Sequence, residues 1–588
     1  MKKVIFAFIA ILSAATVTFT SCEKDPLQEV VYSNLTSDLA FTSGENAEAA
    51  VVGMYEPMRN IYYRYMNDVN DVTTDVCNGK IAEFDRLNDE SIFVNDYNLI
   101  LYSGFCKIAT RANVVLDELP KMDEALFEEV DSREVMLAQA HFMRAYAYYN
   151  LSDIYYQVPL VLSSEVNVAE EQTFASIDEI DAAIEADAIE AAKFLPKSWN
   201  DANKQKATYG AAEALLTELY MRQAGRLRCA GKDASAVWQK ALTECNKVLA
   251  LVGTEYELLP DVRDAFSPST TPSPWPNSNA WSTAGVNNKE LIWAQKNNGA
   301  SQDGTSNLGI MFTDWEYNLG WACIRGAIEL AWMFDKEDHR YTDLIVTEYP
   351  NIYGLGSTPS FYAIPQNVEQ MGIVNKLIAE RTTPYVDILG QGNDVSSDLW
   401  VYLDTYLCQE LDHISTNKFP YATMWEYSYI CSNNFPIFRI AEFYLAKAEI
   451  LNEINGPTQE AVDAINVIRT RAFGNTSHNY TLAQVGSKDN FRSIICDERA
   501  FELNFEAKRR PDLIRMGLWK DRMDKYIESK KQMAVWTAKN NPKITEEEAM
   551  GTYKTYPKDL TENDIRRYWP IPFREVEISP ELKNARTF

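Results

Sequence analysis

The chain has 588 residues, of which 46% are hydrophobic, so it can bury a large core but is long for one simple domain. It carries 84 acidic and 56 basic residues, which gives a net charge of −28. Such a surface argues against binding to nucleic acid or anionic lipid, and more weakly against a strongly anionic polysaccharide.

The N-terminus has the pattern of a targeting segment. Two lysines precede an apolar stretch, residues 4–15, which is too short to span a bilayer as a stable helix. The tetrapeptide FTSC that ends at Cys22 resembles a lipoprotein processing site, in which this cysteine becomes the acylated first residue. We predict a lipoprotein signal peptide over residues 1–21 and a lipidated tether over residues 22–44; the alternative is an ordinary secretory signal with an unrelated cysteine.

Helical patterns then alternate with short breaks. Residues 60–90 interrupt them with a polar stretch that we interpret as irregular and solvated. The capping-box pair Ser176 and Glu179 marks one helix start. The helices predicted up to residue 255 cover 45–59, 95–119, 133 to just before Pro159, 176–195, 207–227 and 234–251.

The helix that begins at Arg133 has the clearest pattern. Its apolar residues recur at spacings of three and four, which places them on one face. It must end before Pro159, because the residue before a proline avoids the helical region. One such helix cannot bury its apolar face alone, so the pattern predicts a stack of similar helices.

The helical rhythm stops between residues 256 and 435, where prolines, glycines and asparagines are frequent. We interpret this region as a loop-rich insertion, and long loops in compact proteins are usually functional. Helical periodicity returns from Ile437 through Leu451, the pair Gly456-Pro457 turns the chain, and residues 461–472 form a partner helix.

Four motifs resemble those of the SusD/RagB family and occur in the expected order. They are AHFMRAYAYYNLSDIYYQVPLV, FPIFRIAEFYLAKAEILNEIN, DERAFELNFEAKRRPDLIRMGLW and RRYWPIPFREVEISPEL. The resemblance implies a mainly α fold, a right-handed superhelix of four tetratricopeptide-like helix pairs with a large loop-rich insertion. The implied regions are an N-terminal helical region at 45–255, a ligand-binding insertion at 256–435 and a C-terminal helical region at 436–588.

The same resemblance implies a surface-exposed outer-membrane lipoprotein without enzymatic activity and without a cofactor. It would bind an oligosaccharide or polysaccharide and deliver it to a SusC-like TonB-dependent transporter. A peptide-binding, RagB-like importer component is the first alternative. A surface glycosidase is the second.

Glu498, Glu502 and Glu506 recur every four residues, so neighbouring carboxylates would repel one another on a helix. A glycosidase would use two of them as acid and nucleophile. We favour a structural role, because nearby arginines pair bidentately with carboxylates and would brace adjacent helices.

No zinc, serine-hydrolase or phosphate-binding motif is found in the sequence, so we predict no metal and no catalytic residue. The acidic residues Asp68, Asp71 and Asp75 miss the EF-hand spacing and are better explained by a solvated loop. Cys106 and Cys245 lie in helical patterns, where a buried free thiol is expected.

Aromatic residues point to a ligand surface. Six of the 13 tryptophans lie between residues 275 and 332, several of them in stretches without core periodicity. A flat ring packs against the CH face of a sugar, and polar neighbours bind its hydroxyl groups. Trp293 and Trp332 instead fit a buried strand and a helix core.

The predicted ligand-binding residues fall into two groups. The segment TDWEYNLGW supplies the stacking rings Trp315, Tyr317 and Trp321. In the SusD/RagB family, ligand contacts come from this insertion and from loops before the signature helix. That resemblance adds Tyr62, Tyr63, Tyr65 and Asn67, with Asp314, Asn318 and Arg325 as polar partners.

Overall fold

The structure is a computed structural model, and it describes part of the chain. The described residues are 41–72, 74–79, 96–128, 131–165, 173–200, 205–266, 288–297, 308–312, 323–346, 348–350, 361–363, 367, 413–419, 433–540, 545–547 and 568–578. Helix accounts for 67% of these residues, which confirms the mainly α prediction.

The helices are numbered here in chain order. In the N-terminal half they are α1 (Gly44–Gly53), α2 (Glu56–Asn60), α3 (Met66–Asn70), α4 (Asp96–Glu118), α5 (Arg133–Tyr155), α6 (Ile177–Phe194), α7 (Tyr209–Cys229) and α8 (Ser235–Leu249). A π-helical turn, Ile61–Tyr65, joins α2 to α3. The later helices are α9 (Leu308–Phe312), α10 (Ile328–Met333), α11 (Ile440–Asn455), α12 (Gln459–Phe473), α13 (Leu482–Val485), α14 (Lys488–Leu503), α15 (Arg509–Arg515), α16 (Trp519–Asn540) and α17 (Phe573–Ile578).

Short strands form three small antiparallel sheets. The strands are β1 (Cys77–Gly79), β2 (Leu291–Gln295), β3 (Ile324–Ala327), β4 (Ile345–Val346), β5 (Glu348–Pro350), β6 (Phe361–Ala363), β7 (His413–Thr416) and β8 (Phe435–Arg439). Their order is β1-β3-β7-β4 in the first sheet, β2-β8 in the second and β5-β6 in the third.

Consecutive helices pack side by side. Helix α4 packs on α5, α5 on α6, α6 on α7 and α7 on α8; α8 then packs on α11, across the whole insertion. One large apolar cluster runs through these helices, and a second lies among α11, α12, α14 and α16. The predicted stack of helices is therefore present, while its division into four repeats and its handedness stay predictions.

Local sequence signals set several helix ends as predicted. The Ser176 hydroxyl accepts the Glu179 backbone N–H, and the Glu179 carboxylate accepts the Ser176 N–H, which completes the capping box. Helix α5 ends at Tyr155, before Pro159, and Gly456 ends α11 with φ of 74°. Backbone at that positive φ suits glycine because it has no Cβ.

Helix α4 is long and apolar enough for a membrane span by length and composition. Half of its most apolar window is buried inside the protein, where it packs on α1 and α5. We therefore interpret it as a core helix.

Two predictions of local structure are wrong. Residues 61–70 are helical rather than irregular, and all of them except the partly exposed Tyr63 and Tyr65 are buried rather than solvated, since their side chains find partners inside the fold. Ile437 belongs to a strand, β8, and not to the helix that follows it. This strand forms because β2 pairs with it, and a helical period in the local sequence does not reveal such a distant partner.

The β2–β8 ladder closes the insertion. Leu291 lies opposite Arg439 and Gln295 opposite Phe435, so two segments about 140 residues apart meet at the helical frame. Strand β1 from the N-terminal half joins β3 and β7 from the insertion. The insertion is thereby anchored to both halves of the chain.

Candidate ligand-binding site

Three tyrosine rings form a cluster at the π-helical turn. Tyr63 and Tyr65 come from this turn and Tyr97 from the first turn of α4; each is partly exposed. The ring centroids of Tyr63 and Tyr65 are 6.1 Å apart, and those of Tyr65 and Tyr97 are 5.2 Å apart. Side chains two positions apart do not face each other on an ordinary helix. The close approach of Tyr63 and Tyr65 is thus a particular feature of this turn, which we call the tyrosine cluster together with Tyr97.

Arg64 lies beneath the cluster. Its guanidinium carbon is 4.7 Å from the Tyr97 ring centroid and 5.9 Å from that of Tyr65, within cation–π range. Its Nε donates to Asp68 Oδ2 at 2.9 Å, and both side chains are buried. Burial would lower the pKa of Arg64, but Asp68 outweighs burial and raises it.

For the partner acid, Asp68, the effect of burial on the pKa is larger than the effect of the ion pair. Burial raises the pKa of Asp68 to about 6, although Arg64 acts against this shift. Burial likewise raises the pKa of the Tyr65 phenol to about 12, so the ring stays neutral at physiological pH. The cluster therefore presents uncharged aromatic faces.

Contacts from the far end of the chain hold the supporting helix in place. The Asn67 amide donates to the Phe505 carbonyl at 2.7 Å, and the Asp71 carboxylate accepts the Ala507 backbone N–H at 2.8 Å. Phe505 and Ala507 both have positive φ, of 63° and 58°. A turn with two such non-glycine residues is strained, so the surrounding contacts must over-determine it.

The described residues on either side of segment 313–322 lie close to the cluster. Helix α9 packs on the π-helical turn, and Arg64 Nη1 is 4.0 Å from Met311 Sδ. On the other side, Cys323 is near enough to Arg64 to act on its pKa, more weakly than Asp68.

The predicted site residues fall into three sets. Trp315, Tyr317, Trp321, Asp314 and Asn318 lie outside the described residues, as does Cys22. Tyr63 and Tyr65 lie together at the partly exposed cluster. The third set is buried and comprises Tyr62, Asn67 and Arg325.

The buried set has partners inside the protein, and its ligand contact stays a prediction. The Tyr62 hydroxyl contacts the Tyr146 hydroxyl in the core, and the Asn67 amide is engaged by Phe505 and Asp71. Arg325 lies in the middle of a fully buried strand, β3. The interior of the protein surrounds all three side chains.

Sequence reasoning missed Arg64 and Tyr97. Tyr97 stands in the first turn of a predicted helix and so resembles a core residue. The signal that could have found both is the run IYYRY, in which an arginine stands among four aromatic or apolar residues. Such a run predicts stacking, but not the distant ring that completes it.

The tryptophan interpretations hold where the structure describes them. Trp293 is 3% exposed in β2, with its ring edge-on to Phe142 and Tyr146 at 4.8 Å. Trp332 lies in α10 and is partly buried against the main core.

The three spaced glutamates are buried and held by cations, as the bracing interpretation predicts. Arg439 lies 2.6 Å from Glu502 and 2.6 Å from Glu506, and Arg340 lies 2.8 Å from Glu498. Burial would raise the pKa of Glu502, but Arg471, Arg439 and Arg340 hold it well below its ordinary value. A carboxylate enclosed in this way cannot reach a glycosidic bond.

Asp68, Asp71 and Asp75 are also buried, so the prediction that they lie in a solvated loop is wrong. Asp68 pairs with Arg64, Asp71 accepts backbone N–H groups, and Asp75 pairs with Arg509 at 2.7 Å. Each carboxylate thus has its own partner. Among the described residues, no cluster of three or more His, Cys, Asp or Glu suits a metal ion.

Two cavities offer alternative sites. One, of about 40 Å³, lies behind the π-helical turn between Tyr62, Tyr149 and Lys508, and it is too small for a sugar. The other, of about 350 Å³, lies on α4 and is lined by Tyr102, Ser103, Cys106, Lys107, Thr110, Arg111 and Glu575. Its only aromatic ring, Tyr102, is 5% exposed, so this cavity has no stacking face among the described residues.

The described residues form a frame of packed helices, a set of carboxylates locked in ion pairs and a partly exposed ring cluster, and this architecture defines a protein of the helical-stack class. Comparison with known proteins agrees. The family model described as "SusD family" matches residues 289–587, and the model described as "Starch-binding associating with outer membrane" matches residues 27–221. The chain belongs to the SusD family.

Several relatives are similar over nearly their whole length. A SusD-like protein of Formosa agariphila is 24% identical over 603 aligned residues, covering 96% of this chain and 95% of the relative. A SusD homolog from Bacteroides thetaiotaomicron has a TM-score of 0.63 at 18% identity, covering 93% of this chain and 98% of that one. Surface glycan-binding protein A from the same organism, solved with laminarihexaose, has a TM-score of 0.60 at 18% identity, covering 92% and 99%.

Family membership also settles the question of catalysis. SusD family members are carbohydrate-binding proteins and not enzymes, so the protein is not an enzyme. The confinement of Glu498, Glu502 and Glu506 agrees with this conclusion.

Proposed function

We propose that this protein is a cell-surface lipoprotein that captures oligosaccharides at the outer membrane and delivers them to a SusC-like TonB-dependent transporter. The observation that carries the proposal is the tyrosine cluster, in which Tyr63, Tyr65 and Tyr97 present neighbouring rings on a rigid support. The relatives named as glycan-binding and the family model described as starch-binding support the same class of ligand.

The chemistry of the cluster suits a sugar chain. The rings are tilted by 31° and 30° relative to their neighbours, so consecutive sugar units would each find a face. Stacking of CH groups on the rings supplies affinity, and hydroxyl groups bind polar side chains at the rim. A dissociation constant in the micromolar to millimolar range, roughly 4 to 8 kcal/mol, is sufficient because the ligand must be released to the transporter.

We include Trp315, Tyr317 and Trp321, with Asp314 and Asn318, in the proposed surface. The support comes from the two flanks of that segment: Met311, in the helix that ends at Phe312, contacts Arg64, and Cys323 acts on the pKa of Arg64. Replacing Trp315 and Trp321 by alanine should abolish glycan binding without lowering the melting temperature. Unchanged affinity in this double variant would exclude the segment from the site.

The ligand class is tested with the purified chain lacking residues 1–22. Affinity electrophoresis against laminarin, starch, xylan and mannan should retard the protein in at least one gel. Calorimetry with mixed peptides should show no heat of binding. Binding of peptides alone would support the RagB-like alternative, and release of new reducing ends from any glycan would support a glycosidase.

Delivery to a transporter is tested in the native host. A tagged form of the full chain, extracted in mild detergent, should co-purify with a TonB-dependent outer-membrane protein. Recovery of the chain without any such partner would contradict this part of the proposal.

A further inference from the structure

The charge state of the tyrosine cluster bears on which glycans it accepts. Arg64 is the only lysine or arginine between residues 61 and 70, and residues 96–106 contain neither. Residues 61–70 and the first half of α4, residues 96–106, which carry the three rings, therefore contribute one cation between them.

That cation is already neutralised. The Arg64 side chain is 5% exposed and the Asp68 side chain 2%, and the ion pair between them is 2.9 Å long. The guanidinium also stacks under Tyr97 and Tyr65, so the rings cover the face it could offer a ligand. Proteins bind sulfate or carboxylate groups with guanidinium or ammonium groups that can reach them.

We propose that the tyrosine cluster selects an uncharged glycan and discriminates against sulfated or uronate-containing chains of the same backbone. This inference rests on the proposed function and adds the charge class of the ligand. An anionic group over the rings would meet the negative face of each ring, and the described segments that carry the rings offer it only Arg64, which is already paired. It would also face the repulsion of a chain with a net charge of −28.

The test compares two ligands that differ in charge alone. Laminarin and chemically sulfated laminarin, and starch and carboxymethyl starch, are titrated against the protein at low and at high salt. The uncharged form should bind at least tenfold more tightly at low salt in whichever pair binds. Equal or tighter binding of the charged form would overturn the inference, whereas failure to bind either form of any glycan in the panel would overturn the proposed function.

A variant with an altered charge tests whether the pair of Arg64 and Asp68 causes the preference for the uncharged glycan. Asp68→Asn keeps the shape of the side chain but leaves the Arg64 charge unbalanced, so the preference for the uncharged ligand should fall at least threefold. The matched control is Glu118→Gln, which changes the net charge equally in an exposed pair with Lys121 and should leave the preference unchanged. An equal fall in both variants would assign the preference to overall charge and contradict a role for the pair.

A second variant keeps the inference testable if Asp68→Asn folds poorly. The double substitution Arg64→Met with Asp68→Leu replaces a neutral ion pair by two apolar side chains, a change that buried pairs often tolerate. The preference should then equal that of the wild type. A shift toward the charged glycan in this variant would show that other groups set the selectivity.

Discussion

At the scale of single residues, the polar side chains around residues 64–75 are explained by partners far away in the sequence. The Asn67 amide binds the Phe505 carbonyl, Asp71 binds the Ala507 N–H, and Asp75 pairs with Arg509. A buried polar group costs stability unless it is hydrogen-bonded. These long-range bonds therefore allow a polar sequence to form the support of the tyrosine cluster.

Removing one ring of the cluster should weaken ligand binding without unfolding the protein. For Tyr65→Ala we expect about a tenfold rise in the dissociation constant of the bound glycan, since one stacking contact of about 1.4 kcal/mol is lost. Isothermal titration calorimetry measures this change. The control is Tyr480→Ala, which removes another tyrosine stacked on an arginine, Arg469, outside the cluster. A similar loss of affinity in the control would point to a global effect.

The buried acids predict how stability depends on pH. Burial raises the pKa of Asp68 and of Asp71 to about 6, from 3.8 in the unfolded chain. Between these values the folded state binds protons that the unfolded state does not, so stability rises as pH falls. We expect each acid to add about 1 kcal/mol to the free energy of unfolding between pH 7 and pH 5.

Urea denaturation at pH 7, 6 and 5 checks this expectation. In Asp68→Asn the rise should be smaller by about 1 kcal/mol, because one titrating group is gone. An equal rise in Asp68→Asn and in the wild type would show that Asp68 stays ionised in the folded protein.

At the scale of elements, buried ion pairs attach the insertion to strand β8, helix α14 and the turn that follows α14. Glu290, Arg340 and Lys418 come from the insertion, and they pair with Arg439, Glu498 and Glu506, respectively. Lys418 also donates to the Glu502 and Asn504 carbonyls at 2.7 and 2.8 Å. The end of α14 and the turn after it thus hold the insertion in register with the helical frame.

Removing the central charge of this ion-pair network should strongly destabilise the folded protein. Glu502→Gln removes the charge that balances Arg471, Arg439 and Arg340, and it should lower the free energy of unfolding by about 3 to 5 kcal/mol. Chemical denaturation gives the value. Glu118→Gln, the same change in an exposed pair, should cost less than about 1 kcal/mol. Equal costs for the two substitutions would contradict a bracing role for Glu502.

At the scale of the whole molecule, the proposed ligand surface lies at one end of the helical stack and shares α4 with it. The stacked helices from α4 to α8 continue through α11, while the ring cluster lies where α2, the π-helical turn and α4 meet. A lipid anchor would hold this body at the membrane, and the anchor is the part we predict at Cys22.

The anchor is tested by replacing its cysteine. Cys22→Ser should prevent acylation, so the protein should move from the membrane fraction to the soluble fraction and lose incorporation of labelled palmitate. The substitution should leave glycan affinity unchanged, because the tyrosine cluster lies in the folded body. Retention of the variant in the membrane fraction would contradict anchoring through Cys22.

Local patterns in the sequence predict most of the helices and identify the family. The periodicity of α5, the capping box at Ser176 and the break before Pro159 act through neighbours within a few residues, so their effect can be recognised without a fold. The bracing role of Glu498, Glu502 and Glu506 was predictable for a similar reason, because three close carboxylates require cations.

The elements that long-range contacts create could not be predicted in this way. Strand β8 exists because β2 lies beside it, and the buried helix at residues 66–70 exists because residues 505–509 satisfy its polar groups. Tyr97 joins Tyr63 and Tyr65 for the same reason: helix packing sets which rings become neighbours. The spacing of residues along the chain does not indicate which segments more than 400 residues apart come into contact. The contacts that support the tyrosine cluster are therefore decided by the tertiary structure.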